Sequence, residues 1–175
     1  FSSTNKVYGS LEHERTINRN GRYELADRPH GISETCPLDF HSPYGCSKGA
    51  ADQYVRDYAR IYGMRTVVFR QSCIYGPRQY GAEEQGWVAW FAIAAATEAP
   101  ITVFGDGCQV RDLLWIDDLC ELYQSAITNI DRVSGQVYNI GGGAPNARSV
   151  QEVLHTLERL YGKPLPAAHG PWRSE

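Results

Sequence analysis

Tyr44 and Lys48 stand four residues apart in the run Tyr-Gly-Cys-Ser-Lys, and Thr4, at the end of Ser2-Ser3-Thr4, lies forty positions upstream of Tyr44. On a helix this spacing puts a phenol and an ammonium on one face, one turn apart. A phenol ionises near pH 10 in water, and an adjacent cation favours the phenolate. The pair can therefore supply a general base toward an alcohol, with the Thr4 hydroxyl sharing the hydrogen bond and holding the alcohol in line. Oxidation and reduction at a hydroxyl-bearing carbon is the chemistry such a set serves. Tyr-x3-Lys by itself also describes an ordinary helix with a packed tyrosine and a solvated lysine, so the surroundings decide.

Four blocks surround the pair in order: Phe-Ser-Ser-Thr-Asn-Lys-Val-Tyr-Gly at 1 to 9, Ser-Pro-Tyr-Gly-Cys-Ser-Lys at 42 to 48, Phe-Arg-Gln-Ser-Cys-Ile-Tyr-Gly-Pro at 69 to 77, and Gln-Val-Arg-Asp at 109 to 112. Together they resemble the extended short-chain dehydrogenase/reductase family of nucleotide-sugar epimerases and dehydratases, over nearly the whole chain. The resemblance implies a catalytic set of Thr4, Tyr44 and Lys48. It implies NAD as cofactor, held at its nicotinamide end by Ser2, Ser3, Tyr44, Lys48, Gln71 and Ser72. It further implies a nucleotide-diphosphate sugar lying against Asn5, Lys6, Cys73, Arg78, Gln79, Arg111 and Arg173. Arg111 and Arg173 suit the diphosphate, because a guanidinium donates two parallel hydrogen bonds to phosphate oxygens. The plainer alternatives are an ion pair of Arg111 with Asp112 or Asp117, and a solvated loop for Arg78 and Gln79.

Family dehydratases resemble Thr-Asp-Glu where this chain has Thr4-Asn5-Lys6. Elimination of water needs a proton donor for the leaving hydroxyl and a base for the neighbouring C–H. Loss of both carboxylates favours epimerisation, while another epimerase or a reductase on the same scaffold, or a noncatalytic NAD or sugar-nucleotide binding protein, stays open. Cys73 has no partner set for a nucleophile, Cys46 is expected to pack beside the pair, and His41, just before it, is a candidate for touching substrate, with a satisfied loop histidine as the plainer alternative. His13, His30, His155 and His169 form no ligand pattern, so no metal is expected.

Family members begin with a strand, a Gly-rich turn and a helix whose N-terminus holds the dinucleotide pyrophosphate. No segment here has that form: Gly105-Asp106-Gly107 reads as a hairpin turn and Gly141-Gly142-Gly143 as a loop after a strand. The chain therefore reads as an internal piece of a longer enzyme. The expected fold is α/β, the C-terminal part of a Rossmann-type doubly wound parallel sheet plus a small substrate-binding lobe, with the N-terminal dinucleotide-binding unit missing. Residues 1–76 would be the remainder of the NAD-binding domain, and 77–175 mainly the lobe, with elements returning to that domain.

Composition agrees with a globular domain, at 42% hydrophobic and 21% charged residues, and a net charge of −3 gives no footprint for nucleic acid. Five cysteines without paired spacing argue against a disulfide framework and for a reduced, cytoplasmic setting. No apolar run reaches membrane-spanning length. A homo-oligomer is expected of the full-length protein.

Periodicity and turn residues predict the elements. Residues 10–43 read as a long loop, and Pro43 opens a helix from 44 to about 62 with an apolar stripe of Ala51, Tyr54, Val55, Tyr58 and Ile61. A buried strand is predicted over 65–70, a Trp- and Ala-rich helix near 86–98, and a hairpin-like pair at 101–104 and 110–116. Asp117 is placed as the cap of the next helix, a strand at 136–140 follows, and Ser149 opens a last helix whose apolar residues recur at three-four spacing.

Overall fold

A computed structural model describes residues 1–173. Three parallel strands, β1 (Ser2–Thr4), β4 (Val68–Gln71) and β8 (Val137–Ile140), form one sheet in the order β1-β4-β8. Its register aligns Thr4, Gln71 and Ile140 at the carboxyl ends of the strands, the edge where open α/β sheets place their ligands. Helix α1 (Ser42–Tyr62) packs on this sheet, and α3 (Ile116–Thr128) with the one-turn α4 (Ile130–Val133) covers Val67 and Phe69 through Ala126, Leu122, Tyr123 and Ile130.

A second sheet runs β5 (Cys73–Tyr75), β7 (Val110–Trp115) and β9 (Ala147–Ser149), with β5 parallel and β9 antiparallel to β7. Beside it, β6 (Ile101–Phe104) pairs in parallel with β10 (Ala167–Gly170). The largest core joins these strands to α2 (Trp87–Thr97) and α5 (Val150–Tyr161), through Phe91, Ala94, Ala95, Ile101, Val103, Leu113, Val150, Val153 and Leu165. Ser149 opens α5 with a complete capping box, its hydroxyl accepting from Glu152 N and the Glu152 carboxylate accepting from Ser149 N. Among the described residues no helix is long and apolar enough to cross a membrane.

Four local expectations need correction. The stretch 10–43 contains a small antiparallel hairpin, β2 (Thr16–Asn18) with β3 (Tyr23–Leu25), around Gly21. The segments 101–104 and 110–115 do not pair with each other. The turn between them is fixed by Asp106, which accepts from Cys108 N at 2.9 Å and from the Tyr23 hydroxyl at 2.5 Å, and the two strands diverge into different sheets. Asp117 lies in the first turn of α3 and accepts from the Trp115 indole, without capping the helix. Most consequentially, Tyr54, Tyr58 and Ile61 are exposed, and α1 buries Gly45, Gly49 and Asp52 instead. Small residues win that face because a β-carbon at Gly49 would lie 2.4 Å from the Phe40 ring, so only glycine allows the close approach.

Candidate functional site

Strand β1 ends at Thr4, which caps a short 3-10 turn at Asn5–Tyr8 by accepting from Lys6 N at 3.3 Å. The Thr4 hydroxyl is buried and donates to the Asn5 side chain at 3.4 Å. Helix α1 starts against this turn: a β-carbon on Gly45 would meet the Lys6 carbonyl at 3.4 Å. Close approach at Gly45 thus sets Tyr44 beside the end of β1. The Tyr44 ring is 53% exposed, open to a ligand. One turn on, the Lys48 ammonium donates to the Ser2 carbonyl at 2.8 Å. That bond crosses from α1 to β1 and ties the helix face bearing Tyr44 and Lys48 to the strand bearing Thr4.

The other residues expected at the cofactor divide in two. Ser2 donates to the Gln71 side chain at 3.1 Å, and the Gln71 amide donates to the Tyr123 hydroxyl. Ser3 is buried and donates to Asp52 at 2.7 Å. The Ser3 and Gln71 side chains are thus engaged inside the protein, and only the backbone of that pair is left for a ligand. Ser72 begins the loop after β4, its N–H donating to the Ile140 carbonyl at 2.8 Å, so it stands level with Thr4 at the strand ends.

On the second sheet, Cys73 lies opposite Leu113 in the parallel β5–β7 register, two residues from Arg111. Burial pushes the Cys73 thiol up, against a hydrogen bond from Trp87 and the Arg111 charge, so it is a poor nucleophile. Burial pushes the Arg111 guanidinium down from its ordinary value. Among the described residues it makes one hydrogen bond, to the Val110 carbonyl at 2.9 Å, and no ion pair. Of the two carboxylates available in sequence, Asp117 is held by Trp115, and Asp112 points to the other side of the strand. Lys6 is half-buried nearby, and its ammonium is held below its ordinary value by burial and then by the Arg111 charge. A buried guanidinium that forms no ion pair among the described residues is a candidate position for an anion.

Asp112, offered by the sequence as an ion-pair partner of Arg111, is instead held by the loop after β8. Burial pushes its carboxyl up, opposed by hydrogen bonds from Gly142 N and Gly143 N. A β-carbon at Gly141 would lie 1.9 Å from its Oδ2, so the triple glycine lets the loop after β8 wrap this carboxylate. Arg78 is exposed with φ of 64°, and the Gln79 amide donates to the Ile74 carbonyl at 3.4 Å while its Oε1 is buried without a partner. Arg173 donates to the Glu83 carbonyl at 2.8 Å, and its guanidinium carbon sits 3.9 Å from the centre of the Phe104 ring. Cys46 is exposed, with its thiol on the Phe40 carbonyl, and His41 pairs with Asp39.

Sequence reasoning missed a buried network beneath the pair: Asp52 with Arg70, and Arg70 with Tyr8. The signal for it was an acidic residue four beyond Lys48 and an arginine inside an apolar strand, since charges at such positions are buried only when paired.

Residues 1–141 match the family described as the NAD dependent epimerase/dehydratase family. Over 163 residues, 90% of this chain and 48% of the relative, the chain is 49% identical to a Salmonella typhi protein named CDP-paratose 2-epimerase. Among solved structures, a UDP-glucose 4-epimerase from Thermotoga maritima with UDP-glucose superposes with a TM-score of 0.76 at 29% identity, covering 99% of this chain and 50% of that one. A dTDP-glucose 4,6-dehydratase from Bacillus anthracis in complex with NAD gives 0.76 at 28% identity, covering 99% and 49%. The chain spans about half the length of these relatives.

Proposed function

The chain belongs to the NAD dependent epimerase/dehydratase family, and on that premise we propose that the complete protein epimerises a nucleotide-diphosphate sugar, converting CDP-paratose to CDP-tyvelose at C2 through a transient keto sugar. The observation that carries this reading is the pairing of an open Tyr44 and Lys48 face with Thr4-Asn5-Lys6, where a site for elimination would need a carboxylate acid and base. The name of the Salmonella typhi relative supports the choice of sugar and carbon. The structural likeness to a UDP-glucose 4-epimerase keeps inversion at C4 as the second reading.

The residues present fit the nicotinamide end of NAD: Tyr44 is open to a ligand, Lys48 on the same helix face reaches the Ser2 carbonyl at the start of β1, and Ser72 stands at the strand ends. Held there, NAD would supply the hydride acceptor and donor that oxidation and re-reduction of the sugar carbon require. Tyr44 accepts the proton of the hydroxyl on that carbon and gives it back when the hydride returns. Lys48 supplies a cation on the same helix face, and Thr4 orients the hydroxyl. Arg111, with Lys6 beside it, meets the diphosphate, giving a buried charge that forms no ion pair among the described residues a set of charge-assisted hydrogen bonds. Residues 1–76 would hold the cofactor and 77–175 mainly the sugar nucleotide. A homo-oligomer and a cytoplasmic location belong to the same proposal.

Turnover in deuterium oxide tests the route. Hydride return keeps the original hydrogen on the inverted carbon, so NMR of the product should show no deuterium there. Stoichiometric deuterium at that carbon would replace this mechanism with carbanion chemistry.

A further inference from the structure

Tyr44, Lys48 and Asp52 succeed one another at four-residue intervals along α1, so the face with the reactive pair ends, one turn deeper, in a carboxylate with 0% exposure. Asp52 accepts from Arg70 Nε at 2.9 Å and Arg70 Nη2 at 3.0 Å, a bidentate pair, and also from Ser3 Oγ at 2.7 Å and Gln53 Nε2 at 2.8 Å. The third nitrogen, Arg70 Nη1, donates to the Tyr8 hydroxyl at 2.9 Å, which donates in turn to the Asn139 side chain at 2.6 Å. Burial alone would push the Asp52 carboxyl up, yet the bonds from Arg70 and Ser3 hold it below its ordinary value. Two of the partners adjoin site residues along the strands: Ser3 precedes Thr4 on β1, and Arg70 precedes Gln71 on β4.

Such a pair adds little net stability, because well-packed apolar residues of similar volume are often as good or better. Its distinctive product is geometry, since two parallel N–H···O bonds fix distance and orientation together. Helix α1 needs that. Two of its three buried residues are Gly45 and Gly49, which offer no side chain to interlock with the sheet and set the rotation of the helix. Side-chain ends lie about 5–6 Å from a helix axis, so a rotation of about 10° moves a side-chain end by about 1 Å, a misplacement that can cost roughly 100-fold in rate.

We propose that Asp52 is a positioning residue: its bidentate pair with Arg70 and its bond from Ser3 lock the rotation of α1, holding Tyr44 and Lys48 in line with Thr4. The proposal rests on the reading of Tyr44 as the base. Its test uses the complete protein, with Asp52→Asn and with the paired replacement Asp52→Leu plus Arg70→Met, which removes both charges and leaves neither buried alone. The paired variant is expected to melt within about 5 °C of the parent, to keep KM for the sugar nucleotide within about threefold, and to lose on the order of 10- to 100-fold in kcat. Asp52→Asn should show the same split per folded molecule. Ser3→Ala, which deletes a single bond, should lower kcat by roughly threefold to tenfold without altering the melt. Parent-like kcat per folded molecule in the paired variant, or in Ser3→Ala should the paired variant not fold, would overturn the proposal by reducing the network to a fastening. Tyr44→Phe measured alongside separates the two ideas. Full turnover there defeats the base assignment, whereas loss there with full activity in the network variants defeats positioning alone.

Discussion

Replacing Arg111 by Met in the complete protein should move stability and binding in opposite directions. The guanidinium is pushed down by burial, forms no ion pair among the described residues, and has only the Val110 carbonyl as a protein acceptor. In the free protein it is therefore a desolvated charge with little return, and methionine fills a similar length without one. Exchanging poorly compensated buried charge for apolar volume is often neutral or stabilising by about 1–4 kcal/mol. Partial exposure and the nearby Lys6 place the expected gain at the low end, about 1 kcal/mol. With a sugar nucleotide bound as proposed, the same change should delete a bidentate charge-assisted contact, at about 2–3 kcal/mol or roughly 30- to 150-fold in affinity. Thermal melts of the ligand-free variant and calorimetric titration with a CDP-sugar measure the two effects, and titration with NAD serves as control. A lower melting temperature together with equal loss of both ligands would refute the reasoning, because it would make Arg111 a structural residue.

Tyr44→Phe should lower turnover by on the order of 100-fold or more with an unchanged melt, and parent-like rates in a steady-state assay would return Tyr44 to packing. Asp112 has its carboxyl raised above 3.8 by burial, so its contribution is fully favourable below the unfolded value and is lost as pH rises through the folded one. Asp112→Asn keeps an acceptor for the Gly142 and Gly143 N–H groups, and its melting temperature should gain on the parent as pH increases from about 4 to 8. A constant offset across that range would disprove the shift. Gly49→Ala should cost about 1–3 kcal/mol in chemical denaturation, since the new methyl would lie 2.4 Å from the Phe40 ring. No change in midpoint would mean that Phe40 swings aside freely.

Several elements were legible in the chain because local chemistry decides them. Ser149 and Glu152 spell a capping box, and α5 begins there. Pro43 and Gly63 bracket α1, with Gly63 closing it at φ of 64°. The spacing of Tyr44 and Lys48 requires a shared face on any helix, and the glycines at 141 to 143 announce a backbone that something must approach. What approaches, Asp112, comes from a strand some thirty residues earlier, and no local rule brings the two together. The same limit explains the misread hairpin: a turn at Gly105–Gly107 is local, but whether its flanking strands pair depends on β5, β9 and β10 competing for their edges. Helix α1 shows the limit most sharply. Hydrophobicity favours Tyr54, Tyr58 and Ile61 as the buried face, yet Phe40 from the loop and Arg70 from β4 select glycine and aspartate. A chain determines its caps, turns and side-chain periods through groups a few bonds apart. Which face is buried, which charge finds a partner and which charge is left for a ligand depend on groups that only folding brings within reach.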